Sequence, residues 1–228
     1  LGRRAGRGGA SPRRARGRGA DPCRGVHVTR VGRRSAGRLP GARGALSVRL
    51  VVVCPHFAPD IAPTGAVMTR IVHELAGRGH ELHVVTSLPW YRDHRVEPGW
   101  GGRPWRVERT AWGSVTRIHP MSARSKANVA GRAIGFVAFS VLAAAWCALR
   151  RVGGRVDAVV AMSPPLTLGL AGRLGALVRR CPLVFNVQDV FPDAAVATGA
   201  VRSRTIIAAA RALERTTYAT SHAVVVLS

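Results

Sequence analysis

Residues 48–91 read VRLVVVCPHFAPDIAPTGAVMTRIVHELAGRGHELHVVTSLPWY, and this stretch decides the fold. Val48 to Val53 is a short, largely β-branched apolar run of the kind buried on both faces of a sheet. The loop from Cys54 to Thr64 holds Pro55, Pro59 and Pro63. Val67, Met68, Ile71, Val72 and Leu75 then recur at the spacing of one helical face, so a helix begins at Thr64-Gly65. Gly79 reads as the C′ glycine that ends it. Leu82 to Thr86 is a second strand, which makes the stretch a βαβ unit whose crossover helix points its N-terminus at the loop. An anion would sit there, where backbone N–H groups and the helix dipole converge.

The alternation continues. Ser87 to Trp105, rich in Pro, Gly, Trp, Tyr and His, reads as a long functional loop. Its Trp90, Tyr91, Trp100 and Trp105 either stack on a sugar ring or anchor the loop. Arg106 to Arg109 and Val115 to His119 read as two shorter strands joined through Trp112-Gly113-Ser114. Ala127 to Arg151 is the longest helical candidate. Its uncharged part, Ala133 to Leu149, is 17 residues, short of the roughly 20 of a membrane span, and reads as a buried or membrane-facing helix. Strands at Asp157–Ala161, Leu183–Val187 and His222–Leu227 alternate with helices at Leu166–Arg179 and, capped by Ser203, as far as Tyr218. This pattern predicts an α/β, Rossmann-like, doubly wound parallel sheet. Such sheets bind ligands at the carboxyl ends of their strands, here Cys54 to Gly65, Thr86 to Tyr91, Met162 to Pro165 and Gln188 to Asp193.

Half of the charge lies in a fifth of the chain. The formal net charge is +24, and residues 1–46 hold 13 Arg against Asp21 alone, a net +12. With no apolar period, that Arg/Gly-rich segment is expected to be a disordered tail, residues 1–46, ahead of one domain, 47–228. An RNA-binding arm is the competing reading, but the segment lacks aromatics for base stacking, so no nucleic-acid partner is expected. No apolar h-region follows its twin arginines before Leu50, so no signal peptide is expected. Cys23, Cys54, Cys147 and Cys181 are far apart, and the histidines from His56 to His222 are scattered. Neither set has ligand spacing, and no Asp-x-Asp occurs, so no metal site is expected. A reducing cytoplasm suits the cysteines. GxGxxG is absent after the first strand, which argues against a nicotinamide dehydrogenase.

Several segments together resemble a known family. Phe57 to Gly65, Glu74 to Glu81 and Val84-Val85-Thr86 look like the opening of family 4 glycosyltransferases of the GT-B fold. Ser163-Pro164-Pro165-Leu166-Thr167, Gln188 to Asp193, Ala212-Leu213-Glu214-Arg215 and Ala223 to Ser228 extend the likeness in order. It is similar above all to the capsule, colanic-acid and O-antigen subgroup. The resemblance implies one half of a GT-B fold, the N-terminal, acceptor-side domain. The C-terminal domain, with the acidic pair that grips the donor, has no counterpart, and the chain stops at Ser228 directly after a strand. A fragment, inactive alone, is therefore expected.

The resemblance also assigns roles. It implies a nucleotide-sugar donor, a lipid-linked or growing glycan acceptor, retention of configuration, no divalent ion and no cofactor. It places the protein at the inner face of the plasma membrane, in peripheral contact with anionic lipid. Thr64, Gly65 and Ala66 stand where the family's glycine loop approaches the donor diphosphate, although Pro63 has no N–H to offer; Gly65 serves equally as a simple helix-start glycine. Gln188 and Asp189 occupy the place of the family's His-Asp pair. Gln188 can hydrogen-bond but cannot act as a base, so Asp189 is the acidic participant or, alternatively, a loop anchor. Trp90, Tyr91, Ser163, Pro164 and Asp193 fall on the acceptor side. The competing class is a non-catalytic Rossmann-like binding module.

Overall fold

The computed structural model describes residues 26–29, 47–121, 129–149, 155–189 and 203–227, together with Asp193, Gly199 and Val201. Strands β1 (Val26–Thr29), β2 (Arg49–Val53), β3 (Glu81–Ser87), β4 (Trp105–Thr110), β5 (Gly113–Ile118), β6 (Ala158–Ser163), β7 (Leu183–Val187) and β8 (Ala223–Leu227) form one sheet. Helices α1 (Pro63–Gly77), α2 (Val129–Leu149), α3 (Thr167–Arg179) and α4 (Arg204–Thr220) connect them. The strand order is β1-β8-β7-β6-β2-β3-β5-β4, with only β1 and β4 antiparallel to their neighbours. This is the Rossmann-like α/β sheet expected, consistent with one half of a GT-B fold.

Alternation along the strands sorts the core into two layers. Val52, Leu82, Val84, Val115 and Met162 face α1 through Met68 and Val72. Val51, Val53, Val159, Ala161 and Phe185 face the opposite way, towards Phe139 and Ala143 of α2 and Leu168 of α3. Most of these side chains are fully buried, the Val, Leu, Met and Phe among them each contributing about 1.5–3 kcal/mol by area. The helix ends follow the sequence signals. Gly79 adopts φ 85°, its N–H bonds Ala76 O at 2.9 Å and that of His80 bonds Leu75 O at 3.2 Å. These are the two bonds of a Schellman cap. Ser203 caps α4 by accepting from Ile206 N–H.

One expectation is corrected. Val26–Thr29 pairs antiparallel with β8, Val26 opposite Leu227 and Thr29 opposite Val224, so these four residues are not part of a structureless tail. Val-His-Val-Thr is a β-compatible quartet, and β8 would otherwise present an open edge of N–H and C=O groups. The rest of residues 1–46, Val190 to Pro192, Arg150-Arg151 and Ser228 lie outside the described residues. The buried Cys54 and Cys147 are free thiols, each pushed up to about 12 by burial, and are chemically inert near neutral pH.

At the amino ends of the strands, Glu81 Oε2 accepts from Arg49 Nε at 2.6 Å, and Glu81 Oε1 lies 3.0 Å from His83 Nε2. The hydrogen bond from Arg49 holds the Glu81 carboxyl below its ordinary value. Burial outweighs Glu81 and holds His83 below 6.5. The unfolded chain therefore takes up the His83 proton at a higher pH than the folded one, so stability falls as pH drops through about 6.5. The urea midpoint should decline from about pH 7 to about pH 5, and His83→Gln should flatten the decline.

Candidate active site

The chain builds the sheet outward from β2 in both directions. β3 lies on one side of β2 and β6 on the other, so the connections after β2 and β6 leave on opposite faces and open a crevice between them. Gly65 follows β2, and Asp189 follows β7, with only β6 between those strands. The two strand ends are thus two spacings apart, roughly 10 Å, at the same end of the sheet and not at opposite edges.

The loop after β2 is held from three directions. His56 Nδ1 lies 2.7 Å from Asp60 Oδ2, with both side chains buried. The other carboxylate oxygen, Asp60 Oδ1, accepts from Tyr91 N–H at 3.1 Å, tying the β2 loop to the loop after β3. Ser87 Oγ donates to Pro55 O at 2.5 Å and accepts from Trp90 Nε1 at 3.1 Å. From the far side, buried Arg117 on β5 donates from Nη2 to Ala58 O at 2.5 Å and from Nε to Glu108 Oε1 at 2.7 Å. Its guanidinium lies 4.9 Å from the centre of the Trp100 ring.

These contacts place the expected residues one by one. A Cβ on Gly65 would come within 2.8 Å of His56 Cβ, so Gly65 is there to let α1 approach the loop; this favours the helix-start reading without consuming its amide. Ala62 provides no side-chain cap, and the first helical bond runs from Ala66 N–H to Ala62 O at 3.0 Å. Ala66 has therefore committed its donor, and the amides of Thr64 and Gly65 are those that precede that bond. Trp90 is 6 % exposed and spends its N–H on Ser87, an anchor with its ring 5.4 Å from His56. Tyr91, 39 % exposed, packs on His56 and His94 and keeps the rest of its ring open to solvent.

Ser163 and Gln188 come together where β6 and β7 end. Gln188 N–H donates to Ser163 O at 3.3 Å, and its Nε2 donates to Asn186 Oδ1 at 3.1 Å. Ser163 Oγ is fully buried with no hydrogen-bond partner among the described residues, and Pro164 is half-buried. Asp189 is exposed. Asp193 stands apart, exposed and 3.0 Å from Arg211 of α4, a geometry typical of a surface ion pair. A hollow of about 960 Å³ lies at the outer edge of the sheet, lined by Trp100 and Arg103–Glu108; it does not include the residues at the switch point. Sequence reading missed the His56–Asp60 pair, because His56 was one scattered histidine among many and four-residue spacing outside a helix carries no signal.

The profile of the glycosyl transferase 4-like domain family matches residues 64–228. The chain belongs to that family. It is also 22 % identical over 152 residues to a putative colanic acid biosynthesis glycosyl transferase, WcaI, of Escherichia coli strain K12. The match covers 67 % of this chain and 37 % of that relative, so the chain spans well under half of its length. Among the described residues, no helix is long and apolar enough to cross a membrane.

Proposed function

We propose that residues 47–228 form the acceptor-side wall of a sugar-transfer cleft. The whole protein would pass a glycosyl group from a nucleotide-sugar donor to a lipid-linked or growing polysaccharide acceptor, with retention, as a peripheral protein at the inner face of the plasma membrane. One observation carries this reading: Gly65 and Asp189 stand at the same end of the sheet, across the switch point between β2 and β6. Family membership and the relative's name support it.

Each side chain then has a task. The amides of Thr64 and Gly65, at the positive end of α1, face the donor diphosphate. Asp189 orients the acceptor hydroxyl by accepting its hydrogen bond, with Gln188 hydrogen-bonding a neighbouring hydroxyl. Tyr91, Ser163 and Pro164 shape the acceptor side, Trp90 braces Tyr91, and Asp193 lies at its margin.

The second wall of the cleft, which grips the donor, belongs to a separate domain in this reading. The 228-residue chain, incubated with nucleotide-sugar donors and lipid-linked acceptor, should therefore release no product. Turnover by this chain alone would overturn the half-cleft. In a protein carrying both halves, Asp189→Asn should lower kcat about a hundredfold, and unchanged kcat would remove Asp189 from the chemistry.

A further inference from the structure

The hollow of about 960 Å³ at the outer edge of the sheet is separate from the switch point, and its lining brings Trp100 and Trp105 beside Arg103 and Arg106. The two tryptophans are held differently. Trp100 carries two guanidinium groups against its ring, Arg106 at 5.5 Å and Arg117 at 4.9 Å from the centre. Trp105 is 53 % exposed, with the ring of Trp146 on α2 6.5 Å away between centres, and so presents open ring surface. Arg106 Nη2 donates to Gly99 O at 2.8 Å and Gly101 O at 3.2 Å, while its buried Nε has no acceptor among the described residues. Arg103 is exposed. Backbone groups add a further kind of contact, because β4 ends the sheet with no strand beyond it among the described residues. Pro104 O accepts from His119 N–H at 2.9 Å, so antiparallel alternation turns the N–H and C=O groups of Trp105 and Val107 away from β5, towards the free edge. Trp105 pairs with Ile118, and Ile118 with Ser87. The open ring is therefore level with the carboxyl ends of the strands, two strand spacings or roughly 10 Å from Ser87.

We propose that this hollow is a second saccharide site, which takes an acidic oligosaccharide away from the switch point. The Trp105 ring stacks on the apolar C–H face of a pyranose. The outward N–H and C=O groups of β4 meet hydroxyls, and Arg103 pairs with a carboxylate. Charge chooses the acidic chain. Glu108, the acid on this wall, already accepts from Arg117 at 2.7 Å, which leaves Arg103 and Arg106 to an anion from outside. A peptide strand added to the edge is the competing occupant, and Arg106 and Arg109 along β4 oppose it, since charged side chains are what keep an edge strand from pairing. A growing glycan with its acceptor end at the switch point would lay its earlier units over Trp105, so the hollow would keep hold of the chain between transfers. That consequence rests on the transfer reading proposed above; the saccharide site itself does not.

The test is calorimetric titration of the whole chain, without nucleotide-sugar donor, with tetragalacturonate, with maltotetraose as the neutral sugar of equal length, and with heptaglutamate as an acidic peptide. The uronate should bind about tenfold tighter than the neutral tetrasaccharide. Trp105→Ala should weaken both sugars about tenfold with the circular dichroism unchanged. Arg103→Gln should weaken the uronate alone, and Asp189→Asn should bind it as wild type does. Absence of uronate binding by wild type would overturn the proposal, as would a Trp105→Ala chain that binds both sugars like wild type. Tighter binding of heptaglutamate than of uronate would give the edge to a peptide and overturn it too. Loss of uronate binding in Asp189→Asn would move the binding to the switch point and remove the second site. Because nothing is transferred in the assay, its failure leaves the transfer reading standing, and failure of transfer leaves this result standing.

Discussion

Replacing Gly113 with alanine should cost about 4 kcal/mol or more, enough to leave most of the chain unfolded or insoluble. Gly113 is the first residue of β5 and adopts φ 142°, a conformation that L residues rarely take. A Cβ there would overlap the carbonyl oxygen of Leu82 and lie 2.9 Å from its carbonyl carbon. Neither atom can retreat, because both are backbone of β3, which is pinned by β2 through five paired positions from Arg49–Glu81 to Val53–Val85. Relief would require breaking the β3–β5 pairing, on which the β4–β5 hairpin and the Arg117 support of the candidate site depend. Gly77 provides the contrast. It ends α1 with nothing within 4 Å of an added Cβ, so Gly77→Ala should gain about 0.5–1 kcal/mol. Urea unfolding of the two variants measures both. A Gly113→Ala chain as stable as wild type would mean that β3 and β5 do not meet at Leu82 and Gly113.

The same position shows where the sequence runs out. Trp112-Gly113-Ser114 reads as the joint between two strands, but the turn is Ala111-Trp112, and Gly113 and Ser114 already pair within β5. Nothing in the string says that the joint presses on the backbone of β3, since that contact spans 31 residues. The sheet as a whole was legible because βαβ connections are right-handed and short, which leaves few ways to order the strands. The location of the candidate site at the strand ends followed from that order alone. β1 was not legible: the composition of residues 1–46 argues for disorder, and four β-compatible residues acquire a partner only once β8 exists as an edge. For the candidate site, the place of Gly65 at the start of α1 could be anticipated from position. The side-chain pairings in the loops could not, because they depend on loop paths that carry no period. Thus Trp90 follows the anchor reading and not the sugar-stacking one, and Asp60, which no pattern singles out, is one of the residues that join two loops.

Asp60→Ala should therefore be the most damaging single change in the loops around the site, at about 3 kcal/mol. Both carboxylate oxygens are used: Oδ2 lies 2.7 Å from His56 Nδ1, and Oδ1 accepts from Tyr91 N–H at 3.1 Å. With a neutral ring, Nδ1–H donates to Asp60, which fixes the tautomer and leaves Nε2 as the acceptor. Truncation strands the buried His56 donor and the part-buried Tyr91 N–H, leaving the Ser87–Pro55 bond and the contact of the His56 and Tyr91 rings as the described links between the loops. His56 would also lose its seat against Gly65, where the fit is already so close that an added Cβ would stand 2.8 Å away. Asp60→Asn keeps a carbonyl for Tyr91 and an amide for the other ring tautomer, so it should cost only about 1 kcal/mol. Urea unfolding gives the two costs, and hydrogen exchange at the Tyr91 amide reads the loop directly. That amide should exchange far faster in Asp60→Ala and nearly as in wild type in Asp60→Asn. If Asp60→Ala left both the stability and the Tyr91 amide unchanged, the Asp60 bonds would not be what joins the two loops, and that support would fall to Ser87 and the His56 ring.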